Sequence, residues 1–87
     1  MNGTHEAVMT AERERVLRLR PEDQPKWFGV LEDGDGGAVE IHGFGGASSR
    51  VHCIELATAR FVANGDCDDD EAEDRVGAIS LGELLRG

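Results

Sequence analysis

The chain has 87 residues, 18 of them Asp or Glu against 9 Lys or Arg, giving a formal charge of −9. That length holds one small domain and hardly two. The charge argues against direct binding to nucleic acid or to an anionic membrane surface, both of which draw affinity from surplus Lys and Arg. No apolar run approaches the roughly 20 residues needed to span a bilayer.

Residues 4 to about 15 are compatible with a helix, with Thr4 or Thr10 as cap and Glu12 and Glu14 in an early turn. Leu17-Arg18-Leu19-Arg20 then alternates with a period of two, which predicts a strand end before Pro21. Pro21 and Pro25 bracket an exposed connector. Trp27-Phe28-Gly29-Val30-Leu31-Glu32 and Ala38-Val39-Glu40-Ile41-His42 are strand-like runs separated by Asp33-Gly34-Asp35-Gly36-Gly37. Asp-Gly between two such runs predicts a hairpin. Simple alternation puts Val39 and Ile41 on one face and Ala38, Glu40 and His42 on the other.

Residues 43–49 are rich in Gly and Ser and are expected to be a flexible loop. Residues 50–63 support two assignments. Val51, Ile54, Thr58, Phe61 and Val62 fit helical spacing, with Asn64-Gly65 as a C-terminal cap. The β-branched content fits two short strands, and strands are the preferred expectation. Residues 66–74 hold seven carboxylates among nine positions and are expected to be a mobile, self-repelling loop. Arg75-Val76-Gly77-Ala78-Ile79 resembles a closing strand. Ser80-x-x-Glu83 is a capping-box pattern that starts a short helix over Leu81–Arg86, with Leu84 and Leu85 packed inward.

The expected fold is therefore mainly β: a small antiparallel β-meander or partly closed barrel with one or two short helices, in a single domain over residues 1–87. The alternative is an α+β arrangement with a helix at about 50–63. Val, Ile, Leu and Phe supply 20 residues, just above the level of roughly 20 % below which a highly charged chain stays disordered. The start of the chain, Met1-Asn2-Gly3-Thr4-His5-Glu6, lacks the charged, apolar and small blocks of a secretory leader. Cys53 and Cys67 are then expected as free thiols in a reducing, cytoplasmic setting.

No motif for chemistry is complete. Asp33-x-Asp35 and Asp66-x-Asp68-x-Asp70 begin like calcium loops. The sixth and twelfth positions counted from Asp66 are Glu71 and Gly77, where such a loop needs Gly and Glu. His42, His52, Cys53 and Cys67 match no zinc spacing. Gly43-x-Gly45-x-x-Ser48 lacks the third glycine of a dinucleotide fingerprint, and Ser48, Ser49 and Cys53 near His52 have no nucleophile-elbow spacing. The expectation is a non-enzymatic protein without metal or cofactor.

Charge is the remaining signal, and it is concentrated. Residues 1–20 and 41–60 each carry +1, whereas residues 21–40 carry −5 and residues 61–87 carry −6. Glu32, Asp33, Asp35 and Glu40 around the hairpin, joined to Asp66, Asp68, Asp69, Asp70, Glu71, Glu73 and Asp74, would make one negative face. A row of carboxylates imitates phosphate spacing and suits a groove lined with Arg and Lys. In size and charge alone the chain resembles phage DNA mimics, anti-CRISPR proteins and immunity proteins of nuclease toxins. The likeness implies an inhibitor that blocks a basic, nucleic-acid-binding protein, using Asp66 to Asp74 and then Asp33 and Asp35. The other reading takes Lys26 as the chain's only lysine and the acidity as adaptation to high salt or for solubility. The protein is then an accessory or regulatory domain that works by self-association, as a homodimer.

Overall fold

Phe28, Val30 and Leu31 place large apolar groups on both faces of one strand, so that strand needs cover on both sides. In the computed structural model, which describes residues 3–86, this segment is β1 (Trp27–Glu32), the middle strand of a three-stranded antiparallel sheet. β2 (Ala38–Gly43) and β3 (Val76–Ser80) flank it in the order β2-β1-β3. Four α-helices supply the cover: α1 (Gly3–Leu17), α2 (Arg50–Ala63), α3 (Asp69–Arg75) and α4 (Leu81–Arg86). A single 3-10 turn, Pro21–Asp23, joins α1 to the sheet.

Two apolar clusters result, one on each face of β1. Phe28 and Val30 pack with Val16 of α1, Ala38 and Ile41 of β2 and Leu84 of α4. Leu31 packs on the opposite side with Ala57 and Phe61 of α2, Cys67, Ala72 of α3 and Val76. Phe28, Phe61, Leu84 and Val16 are fully buried, and each such side chain contributes about 1.5–3 kcal/mol relative to exposure. Gly29 permits the close seating of α2: a Cβ there would collide with the Ala57 methyl and the Phe44 ring.

The mainly β expectation, meander or barrel, is overturned. The chain is a small α+β fold, 53 % helix and 20 % strand, and its sheet does not close. The main reason lies at residues 50–63, which form α2, as the alternative assignment had it, instead of two strands. Cys53, Ala57 and Phe61, spaced four apart, make a buried stripe that outweighs the β-branched content. Val51, counted in the helical stripe from sequence, is 67 % exposed. Ser49 caps this helix, its side chain accepting from the His52 N–H.

The hairpin forms where expected, but its faces do not. Leu31 pairs with Glu40 and Glu32 pairs with Ala38, so Val39 is an extra residue, a β-bulge. The bulge sends Val39 to the α2 face and leaves Ala38 and Ile41 together on the α1 face. In the turn, Gly36 holds φ at 84°, and the Asp33 carboxylate accepts the N–H groups of Asp35 and Gly37 at 2.8 and 3.0 Å.

Three further expectations change. Leu17–Arg20 is not a strand end; α1 runs to Leu17 and unwinds through Arg18 N–H to Arg15 O and Leu19 N–H to Val16 O. Residues 66–74 are not a loop throughout, since Asp69–Arg75 is helical. Leu84 is buried as expected, whereas Leu85 is 37 % exposed. The Ser80–Glu83 box and the helix Leu81–Arg86 are as read from sequence, and the closing strand forms one residue later than expected, over Val76–Ser80, with Arg75 in α3. The polar start at Met1 and Asn2 lies outside the described residues.

Candidate functional site

The acidic segment is held by two small buried side chains. Cys67 and Ala72 insert into the cluster around Leu31 and Phe61, and the carboxylates around them, Asp66, Asp68, Asp69, Asp70, Glu71, Glu73 and Asp74, are all exposed. Asp68 is the N-cap of α3. Its carboxylate accepts the Glu71 N–H at 2.8 Å, and the Glu71 carboxylate accepts the Asp68 N–H at 3.0 Å. This reciprocal box, with acids in the first turn facing the positive end of the helix, allows so charged a segment to be helical.

Arg75 ties the far end of α3 to the hairpin. Its Nε donates to the Glu32 carbonyl at 2.7 Å, and its guanidinium lies 3.9 Å from Glu71. The end of α3 and the start of the Asp33–Asp35 turn therefore adjoin. The candidate residues divide by what their side chains do. Asp68, Glu71 and Asp33 serve the backbone of their own segments. The side chains of Asp66, Asp69, Asp70, Glu73, Asp74 and Asp35 make no hydrogen bond or ion pair among the described residues.

Along α3, Asp69 and Glu73, and Asp70 and Asp74, stand four residues apart on the same side of the helix. Like charges at that spacing destabilise a helix by a few tenths of a kcal/mol per pair. The acids are visible in the sequence but their helical order is not; the box Asp68-x-x-Glu71 is the signal that carries it.

Elsewhere, a shallow groove of about 460 Å³ is bordered by Glu22, Asp23, Lys26, Trp27, Gly45 and Ser48, among others. Its two carboxylates are engaged by Arg20, at 3.5 and 3.0 Å. Beside it, the Arg50 guanidinium lies 5.1 Å from the Trp27 ring, donates to the Ala78 carbonyl at 2.5 Å and pairs with Glu83 at 3.1 Å. Ser48 Oγ lies 3.2 Å from Nδ1 of His52 in the first turn of α2, which also accepts the Ser48 N–H at 3.1 Å; Ser48 is exposed and His52 half-buried. His42 Nε2 meets Glu40 at 2.7 Å and its ring stacks obliquely on Phe61.

Cys53 and Cys67 are both free and buried, and burial pushes both thiols up from the ordinary cysteine value. Raised thiols of this kind are poor nucleophiles at neutral pH. Among the described residues, no group of three or more His, Cys, Asp or Glu side chains is placed to hold a metal ion, and no helix is long and apolar enough to cross a membrane.

β3 bears on the self-association reading, because an edge strand is a natural pairing surface. Here the Val76 N–H goes to Ala72 O, the Ser80 N–H to Glu83 and the Ala78 carbonyl to Arg50. The helices on either side of the strand thus occupy much of its hydrogen-bonding capacity.

Comparison with known proteins brings no relative to bear: no family model, no curated protein and no solved structure matches the chain. The class that the fold defines is a small α+β protein with one ordered acidic helix.

Proposed function

We propose that the protein is a non-enzymatic inhibitor that places α3, with the adjoining hairpin turn, in the nucleic-acid groove of a basic partner protein. One observation carries this reading. Asp69, Asp70, Glu73 and Asp74 are exposed carboxylates without partners among the described residues, set in like-charge pairs on a capped helix. That arrangement costs stability, and a cationic groove would relieve it. An acidic surface with no Lys or Arg between Asp66 and Asp74 would also steer a basic partner at long range, with a rate that falls as salt rises. The acids that hold α3 and the turn in shape, Asp68, Glu71 and Asp33, act in this reading as the frame of the surface.

The test is affinity capture from a prokaryotic lysate at low salt, comparing the native chain with a variant carrying Asp69→Asn, Asp70→Asn, Glu73→Gln and Asp74→Asn. Those changes keep side-chain shape and leave the capping box intact. The expected result is capture of nucleic-acid-binding proteins by the native chain, their release by duplex DNA, and little capture by the variant. Equal capture by both forms would sink the proposal.

A further inference from the structure

The Ala38 N–H stands at the point where the β-bulge interrupts the pairing of β2 with β1. Ala38 is only 2 % exposed, so this donor needs a partner within the protein. It finds one on another element: Nδ1 of His5, in the first turn of α1, accepts it at 2.9 Å. Beside this contact, Val8 and Met9 of α1 pack against the cluster that contains Val30, Ala38 and Ile41.

An imidazole nitrogen accepts a hydrogen bond only through its lone pair, and the imidazolium has none on either nitrogen. We propose that His5 is a pH-sensitive latch: its neutral ring holds the start of α1 to β2, and its protonation releases that contact. The charged groups on the elements around it are Glu6 and, farther along, Glu12 and Glu14 on α1, Glu32 on β1, Glu40 and His42 on β2, and Asp33 and Asp35 in the turn. Arg75 reaches the Glu32 carbonyl from α3, and the arginines of α1, Arg13 and Arg15, lie two turns or more beyond His5. A protonated ring leaves the buried Ala38 donor without an acceptor. The latch is closed when the ring is neutral and open when both ring nitrogens carry a proton.

The test is residue-resolved amide exchange by NMR on the full chain, between about pH 8 and pH 5, corrected for intrinsic exchange and with Val30 in the central strand as reference. The expected result is a loss of Ala38 protection of about tenfold relative to Val30, the scale of one orphaned buried hydrogen bond, in step with the His5 ring titration. In His5→Asn, the side-chain Oδ1 replaces Nδ1 as acceptor and does not titrate, so Ala38 stays protected across the range. Flat wild-type protection through the His5 titration, or the same loss in His5→Asn, overturns the latch. If the variant fails to fold, the wild-type profile decides alone.

Discussion

Two short helices of this protein begin with the same local device and use it differently. Asp68 and Glu71 box the start of α3, and Ser80 and Glu83 box the start of α4. Around α4 the device is reinforced from outside: Glu83 also pairs with Arg50, and Leu84 is fully buried in the core. Around α3 it stands among carboxylates, and the only buried side chain within the helix is the methyl of Ala72. One helix is fixed by a large packed side chain; the other is held by its cap, the small Ala72 and the Arg75 tie, and shows its charge to solvent. The negative surface is thus built by local hydrogen bonding around small buried side chains.

The largest effect expected from breaking this contrast is on the packed side. Leu84→Ala should lower unfolding free energy by about 2–5 kcal/mol in urea titration, because it empties a fully buried site. On the capped side, Asp68→Ala should cost about 1 kcal/mol and reduce helical signal, whereas Asp68→Asn should leave both nearly unchanged, since Asn caps as well as Asp.

The two boxes had unequal visibility in the sequence for a physical reason. Ser80-x-x-Glu83 precedes a run with Leu84 and Leu85, so the cap and the apolar pattern agree. Asp68-x-x-Glu71 is itself part of a run of seven acids, and net charge masks the signal that fixes its backbone. The hairpin was legible because Asp-Gly turn chemistry acts locally. The bulge at Val39 was not, because the alternation of five residues carries no mark of a skipped pairing. At residues 50–63, local propensity and helical period pointed in different directions. Burial of the Cys53, Ala57 and Phe61 stripe, with Ala57 seated against Gly29, decided between them. The site was legible as a list of acids, and the structure divides that list into frame and surface.

Acid should sharpen the comparison from the other side. Hydrogen bonding from the Ser80 backbone, and then from Arg50, holds the Glu83 carboxyl below the ordinary glutamate value. A carboxylate depressed in the folded state adds stability that is present above the unfolded value and lost as pH falls through the folded one. Urea midpoints of the native chain should therefore fall on the acid side of the glutamate range, about 4.3 in the unfolded chain. Glu83→Gln should be less stable at neutral pH and show a shallower decline there.

The smallest expected effect concerns repulsion within α3. Asp74→Lys turns the Asp70–Asp74 repulsion into attraction and places a cation at the C-terminal end of the helix. It should gain about 0.5 kcal/mol at low salt, and the gain should fade as salt screens it. A native α3 that gains nothing from this change would not be straining against its own charge.

Occupation of a basic protein's nucleic-acid groove by the exposed acids of α3 can be measured by calorimetric titration of a captured partner. The native chain and the form neutralised at Asp69, Asp70, Glu73 and Asp74 are compared with and without duplex DNA. Neutralisation should weaken binding by at least about tenfold, as loss of complementary charge at an interface does, and DNA and the native chain should compete for one site. Unchanged affinity of the neutralised form, or simultaneous binding of DNA and the native chain, would contradict that occupation.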